Sequence, residues 1–409
     1  MADNEYLRLP RGMFDRGSHW VSHELQILRI HTECGLMIGC ETIKYSPVSF
    51  KSTFTRECNT ANNKIYEFDD RAGRRLVLTC DSTASVLRQY LSCFDFVPKR
   101  VAFISPTFRY WTDNAHNRFF TQIGYCIINE SEDIGAVDFH LTQLSQSMNS
   151  LLNQVQINTR IYLNDYRALR NILLRYIKEE ELKDFLFHFQ FSNELERQEI
   201  LKQTIRDSRL KEQMCQMFSL KPKRFTFSGD NEFNLPEEYN ELYEMAIALK
   251  LSLDKDIYFC PTDLHCIETI DSYTIRFITD SGYSIAEGGK YSDFSNRFDN
   301  RITSFWSICS GIEPIERTGT WNKDNYADKK VAVIALGASV DFMVRAMNSI
   351  SNNDQIPCYT GNTVNLQKSI KKISKTYRYC TIIGKNEQYW RKIKIKDLQN
   401  NTSIEIEVK

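Results

Sequence analysis

Arg109, in Phe108-Arg109-Tyr110-Trp111, carries the side chain best suited to chemistry in this sequence. A planar guanidinium keeps its charge and donates a fork of hydrogen bonds, the geometry that phosphate oxygens accept. A second cationic feature lies near the C-terminus. There Leu366, Ile370 and Ile373 mark a helix whose opposite face carries Lys368, Lys371, Lys372 and Lys375. Residues 321–409 hold 15 Lys and Arg against 8 Asp and Glu, an excess of seven that residues 1–320 balance with a deficit of seven. A basic appendage on an acidic core fits a polyanionic partner. Twelve cysteines are scattered with no Cys-x-x-Cys pair and no clustered histidine partner. That pattern points away from a zinc site or disulfide framework and toward buried thiols, so no metal site is expected.

The elements around these residues belong to a chain large enough for two or three domains, with 409 residues and 42% hydrophobic content. No apolar run reaches the length of about 18 residues that would span a membrane. The polar start Met1-Ala2-Asp3-Asn4-Glu5 is unlike a signal peptide, and a cytoplasmic protein without membrane contact is expected. Lys64 to Leu78 has the pattern of a hairpin, two apolar runs around a turn containing Gly73.

Four ordered segments carry a family resemblance. The stretch Pro106-Thr-Phe-Arg-Tyr-Trp-Thr-Asp-Asn-Ala-His-Asn-Arg-Phe-Phe-Thr-Gln-Ile-Gly124 resembles motif 2 of class II aminoacyl-tRNA synthetases. Leu9-Pro10-Arg11-Gly12-Met13-Phe14-Asp15 is similar to the Pro-Arg-Gly-x-x-Asp opening of the histidyl-tRNA synthetases. Glu287-Gly288-Gly289-Lys290-Tyr291-Ser292-Asp293-Phe294 resembles their Gly-Gly-Arg-Tyr-Asp-Gly-Leu segment, and Ser310-Gly311-Ile312-Glu313-Pro314-Ile315-Glu316-Arg317 their motif 3. The resemblance implies an α/β fold: an antiparallel class II core sheet with flanking helices, a helical insertion, and a C-terminal α/β anticodon-binding-like domain. It also implies ATP and magnesium as cofactors, with Arg109, Arg118 and Phe120 on the nucleotide and Asp81 and Gln122 on an amino acid. Arg109 would meet the α-phosphate as the catalytic residue. The four lysines named above would face tRNA, and the motif 1 region would make a homodimer.

The expected domains are a first core part over residues 1–178, an insertion over 179–224, a second core part over 225–318 and the C-terminal domain over 328–409. Residues 17–34 have the helical apolar pattern that leads into a degenerate motif 1, where Glu41-Thr42 replaces Thr-Pro. Short and amphipathic helices are expected over 84–92 and 138–155, the former followed by motif 2 after Pro98. Glu179 to Met217 contains neither glycine nor proline and reads as helical, and Leu235 to Leu253 as one more helix. Val331 to Leu336 is a continuous apolar run suited to a buried parallel strand. Tyr379 to Gly384 is the next strand, and Lys392–Lys396 with Ser403–Val408 forms a terminal hairpin around Asn400-Asn401.

Several positions depart from the family pattern. The adenine-reading glutamate of motif 2 is replaced within Tyr110-Trp111, and the motif 3 arginine falls on Pro314. Arg317 lies one helical turn beyond, at what reads as a solvent-facing position. The segment Leu264-His265-Cys266-Ile267-Glu268-Thr269-Ile270 supplies no arginine for the substrate carboxylate, and Cys126 stands where a glutamate reads the imidazole. Two readings follow: a ligand- or tRNA-binding regulatory subunit without histidyl-tRNA ligase activity, or an adenylate-forming, tRNA-charging enzyme for another amino acid.

Overall fold

The computed structural model describes residues 8–55, 65–93, 99–111, 117–130, 138–226, 235–265, 267, 269–321, 329–362 and 365–408. Met1 to Glu5, Lys64, Pro98, the motif 2 loop 112–116, Cys266 and Glu268 therefore lie outside the described residues. The chain forms two compact units, Met1–Thr320 and Trp321–Lys409.

In the first unit the described strands are β1 (Glu41–Lys44), β2 (Val48–Phe50), β3 (Glu67–Asp69), β4 (Arg75–Leu78), β5 (Lys99–Phe108), β6 (Phe119–Ile128), β7 (Thr159–Asp165), β8 (Lys223–Arg224), β9 (Ile257–Phe259), β10 (Tyr273–Thr279), β11 (Ser284–Lys290) and β12 (Phe305–Gly311). The main sheet runs β1-β5-β6-β12-β11-β10-β7-β9-β8, and β2-β4-β3 form a small second sheet. Its middle is antiparallel from β5 to β7, while β1 pairs parallel to β5 and β9 parallel to β7. Strand β12 is inserted between β6 and β11. That order brings the end of the motif 2 hairpin beside residues about 160 to 200 positions later in the sequence.

The apolar periodicity of residues 17–34 becomes the Ser18–Leu36 helix, burying Ile27, Ile30 and Cys34 on one face. Asp138 accepts a hydrogen bond from Leu141 N (2.9 Å) and so starts the Phe139–Gln154 helix, whose buried Leu144, Met148, Leu151 and Leu152 pack beneath the sheet. The glycine-free stretch from Glu179 is three helices, Glu179–Phe191, Glu194–Thr204 and Ser208–Phe218, because Asn193 and Asp207 each cap a new start. At Asn193 the capping box with Glu196 is complete. Among the described residues no helix is long and apolar enough to cross a membrane.

In the second unit β13 (Lys330–Leu336), β14 (Ile356–Asn362), β15 (Tyr379–Gly384), β16 (Lys392–Asp397) and β17 (Ser403–Glu407) form a sheet in the order β14-β13-β15-β16-β17. β13 is parallel to both neighbours, and alternate residues go to opposite cores. Val331 and Val333 pack with Phe342, Ala346 and Ile350, whereas Ala332 and Ile334 pack with Leu366, Ile370 and Ile373. Burial on both faces is why this strand reads as an unbroken apolar run. The terminal hairpin pairs Lys394 with Glu405 and Ile395 with Ile404. Asp397 fixes its turn by accepting from the backbone of Gln399 (2.8 Å) and Asn400 (3.1 Å).

Candidate functional site

Strands β5 and β6 pair so that Thr107 faces Phe120 and Ser105 faces Gln122, placing Phe120 and Gln122 two residues apart on one side of the sheet. At the hairpin's open end Phe108 N donates to Thr79 O (2.7 Å) and Arg109 N to Arg118 O (3.0 Å). The Arg109 Nε donates to Cys80 O (3.0 Å), its guanidinium lies 3.7 Å from Asp81 Oδ2, and its Cζ is 5.4 Å from the centre of the Phe120 ring. Asp81 also caps the Ser82–Leu91 helix by accepting from Thr83 N (2.7 Å). It thus anchors Arg109 and does not itself line the cavity described below. Arg118 is turned elsewhere: Nε and Nη2 both donate to Trp111 O (3.1 and 2.8 Å), and the guanidinium covers the Tyr110 ring at 4.3 Å. Its backbone N bonds to Gly12 O (2.8 Å). Gly12 has φ +74°, and a Cβ there would meet Arg118 Cγ at 2.7 Å, so the Pro-Arg-Gly opening needs its glycine.

A cavity of about 590 Å³ opens beside Arg109, Phe120 and Gln122. Glu287 and Cys309 contribute from β11 and β12, and the helix Ile312–Thr318 adds Glu313, Pro314 and Arg317. Gln122 Nε2 lies 3.1 Å from Cys309 Sγ, and its buried Oε1 finds no donor among the described residues. Burial pushes the Cys309 thiol far above its ordinary range, so it is no nucleophile here. Glu287 accepts from His265 Nε2 at 2.9 Å and lies 3.9 Å from the Arg276 guanidinium. Burial raises its pKa, but the His265 bond and the charges of His265, Arg276 and Arg109 outweigh burial and hold it ionised below the usual carboxylate range. Gly288 follows it because a Cβ there would stand 2.5 Å from Ser307 O on β12.

Glu313 behaves oppositely. Its side chain is buried, Oε2 has no hydrogen-bond partner among the described residues, and Arg16 is 3.8 Å from Oε1. Burial pushes its pKa from 4.5 up to about 7, against the opposing pull of its own backbone N–H, of Arg16 and of the Thr121 backbone. The folded chain therefore holds a proton that the unfolded chain releases near pH 4.5. This contribution to stability is complete below about pH 4.5 and lost as pH rises through about 7. Relative to Glu313→Gln, the wild type is expected to match at about pH 4 and to be less stable by on the order of 3 kcal/mol at about pH 8, read from urea unfolding midpoints. Parallel curves at both pH values would refute the assignment.

Of the residues that the family resemblance assigns to a ligand, Arg109, Phe120 and Gln122 line the cavity. Arg317 lines the cavity although its side chain is exposed. Glu287, His265, Arg276 and Glu313 were missed as a group. The one local signal is Glu287 immediately before Gly-Gly, in a strand whose alternation puts it on the face opposite the crowded Gly288. Cys126 lies fully buried among Val101, Phe103, Ile128 and Phe305, so no polar reader stands at that position. In the second unit Lys368, Lys371 and Lys372 are exposed on the Leu366–Ile373 helix, and Lys375 is exposed just after it.

Comparison with known proteins agrees with this architecture. A family model described as histidyl-tRNA synthetase matches residues 22–305. The histidine–tRNA ligase of Sulfolobus acidocaldarius is 24% identical over 377 residues, 87% of this chain and 86% of that protein. That of Mycoplasma mycoides is 22% identical over 97% of both. Among solved structures, an ATP phosphoribosyltransferase regulatory subunit/histidyl-tRNA synthetase from Bacillus halodurans C superimposes with a TM-score of 0.75 at 16% identity, covering 94% of this chain and 99% of that one. The histidyl-tRNA synthetase of Nostoc sp. PCC 7120 gives 0.70 at 16% identity, covering 98% and 96%. Identities this low show a shared fold, while the family model spans well over half of the sequence: the chain belongs to the histidyl-tRNA synthetase family.

Proposed function

We propose that this family member is a cytoplasmic binding protein for an amine-bearing small molecule of the amino-acid class, acting as a regulatory or accessory subunit without histidyl-tRNA ligase activity. The observation that carries this is a pair of buried oxygens on the cavity wall, Gln122 Oε1 and Glu313 Oε2, with no donor among the described residues. Unsatisfied buried acceptors are costly, and a ligand ammonium would satisfy them beside the ionised Glu287. Arg109 and Arg317 supply the complementary charge for a carboxylate or phosphate.

Class II synthetases use ATP and magnesium. Arg109 and Phe120 are suited to a nucleotide, the first to its phosphate and the second to its base. Magnesium is served less well. Of the cavity carboxyl groups among the described residues, Glu287 is already held by His265 and Arg276, and Glu313 is poised near neutrality.

Calorimetric titration with ATP and with each proteinogenic amino acid tests the proposal. Binding of an amine-bearing ligand, weakened about tenfold or more by Gln122→Ala, is expected. Failure of every amine ligand to bind, or equal binding to the variant, would sink it. A second reading, an adenylate-forming enzyme for a different amino acid, is favoured by Arg317, which gives the cavity two arginines.

A homodimer through the Ser18–Leu36 helix is part of the proposal, supported by Val21, Leu25, Leu36 and Met37 exposed along it and just after. A monomer alone in sedimentation equilibrium at micromolar concentration would overturn that part.

A further inference from the structure

A cluster outside the cavity has the composition of a metal site. His19 and His23 are one turn apart on the Ser18–Leu36 helix and so project from the same face, with ring centres 4.1 Å apart. The Ile312–Thr318 helix turns Glu316 toward them, and Glu316 Oε1 is 3.1 Å from His23 Nδ1. One ligand atom from each of the three residues lies within 4.8 Å of the other two.

We propose that His19, His23 and Glu316 bind a first-row divalent transition ion, with Zn²⁺ the best match. Two neutral imidazoles and one carboxylate are a donor set that zinc accepts with bonds of about 2.0–2.2 Å. Donor atoms around such an ion stand about 3.3 Å apart, and the His23–Glu316 spacing already meets this. His19 is exposed, so a rotamer change closes the third edge and leaves a fourth position open to water. The two fixed donors come from elements 293 residues apart in the sequence, so the pair exists only in the folded chain. Arg16, three residues before His19, is drawn instead to Glu313 and over the Trp20 ring at 4.6 Å.

The bound ion would clamp the Ile312–Thr318 helix to the Ser18–Leu36 helix. Residues of the same short helix, Glu313, Pro314 and Arg317, form one cavity wall, while Ile312 and Glu316 lie one turn apart on its other side. The site does not depend on which ligand, if any, the cavity takes.

Full-length protein, treated with chelator and then titrated with Co²⁺ as a spectroscopic stand-in for zinc, provides the test. A saturable one-to-one visible d–d spectrum of a four- or five-coordinate ion, displaced by Zn²⁺, is expected. His19→Ala removes an exposed side chain and should leave the metal-free thermal midpoint unchanged, yet weaken Co²⁺ affinity at least tenfold. Glu316→Gln should weaken Co²⁺ affinity to a similar extent, whatever it does to the metal-free midpoint through the lost His23 contact. Zn²⁺ should raise the midpoint of the wild type and leave that of His19→Ala unchanged. A spectrum retained in His19→Ala, a thiolate-to-cobalt charge-transfer band marking cysteine ligands instead, or binding that never saturates would overturn the assignment.

Discussion

Given histidine, ATP and magnesium, the protein is expected to exchange no labelled pyrophosphate into ATP above background. Amino-acid activation aligns two anions and stabilises charge developing on phosphorus, so it depends on preorganised cations. The motif 3 position is Pro314, whose ring packs 3.1 Å from where a Gly311 Cβ would be and which has no donor to offer. Arg317 reaches the cavity, but from an exposed position that costs it the preorganisation such a contact needs. No arginine occurs in Leu264–Ile270 for the substrate carboxylate, and the imidazole-reading position is Cys126, sealed in the apolar core. Losing one preorganised contact typically costs about 100-fold, so two losses lower the rate by about 10⁴. Robust exchange with histidine would refute this reading. Exchange with a different amino acid, abolished by Arg109→Ala, would establish the second reading in its place.

Binding of tRNA is the second large effect expected, and it should reside in the unit Trp321–Lys409. Lys368, Lys371, Lys372 and Lys375 stand exposed on and just after one helix, where ammonium groups displace counterions from a phosphate backbone. If all four contact phosphates, raising salt from about 50 to 200 mM weakens binding about a hundredfold, with a log–log slope near −3. Reversing all four to glutamate should abolish binding measured by filter retention, and since the side chains are exposed the fold should survive. Unchanged affinity in that variant, or no binding to the wild type at low salt, would reduce the charge excess to a solubility feature.

Local elements were legible because their causes are local. Tyr379 to Gly384 reads as a strand and forms one with those same bounds, and the terminal hairpin and the Gly73 turn likewise follow from alternation and turn chemistry. The same local logic would have divided the stretch 179–217, since Asn193 with Glu196 and Asp207 are cap signals placed before each new helix. Composition marks the whole stretch as helical, and the caps within it place the divisions.

Side-chain partnerships were not legible, because they depend on the order of strands across the sheet. Inserting β12 between β6 and β11 brings Cys309 to Gln122 and sets the helix after Gly311 against the motif 2 hairpin. The antiparallel pairing of β10 with β11 faces Arg276 to Glu287, and His265 completes that pair. No periodicity within either segment specifies these encounters. Asp81 shows the limit most plainly: its residue type fits a ligand ammonium, and only the tertiary structure assigns it to a helix cap and to Arg109. The sequence by itself determined the family, the strand and helix pattern and the missing motif 3 arginine. The tertiary structure decided which carboxyl is ionised, which is protonated near neutrality, and that two histidines meet a glutamate from the far end of the first unit. Burial and charge proximity set those states, and both are properties of the packed chain.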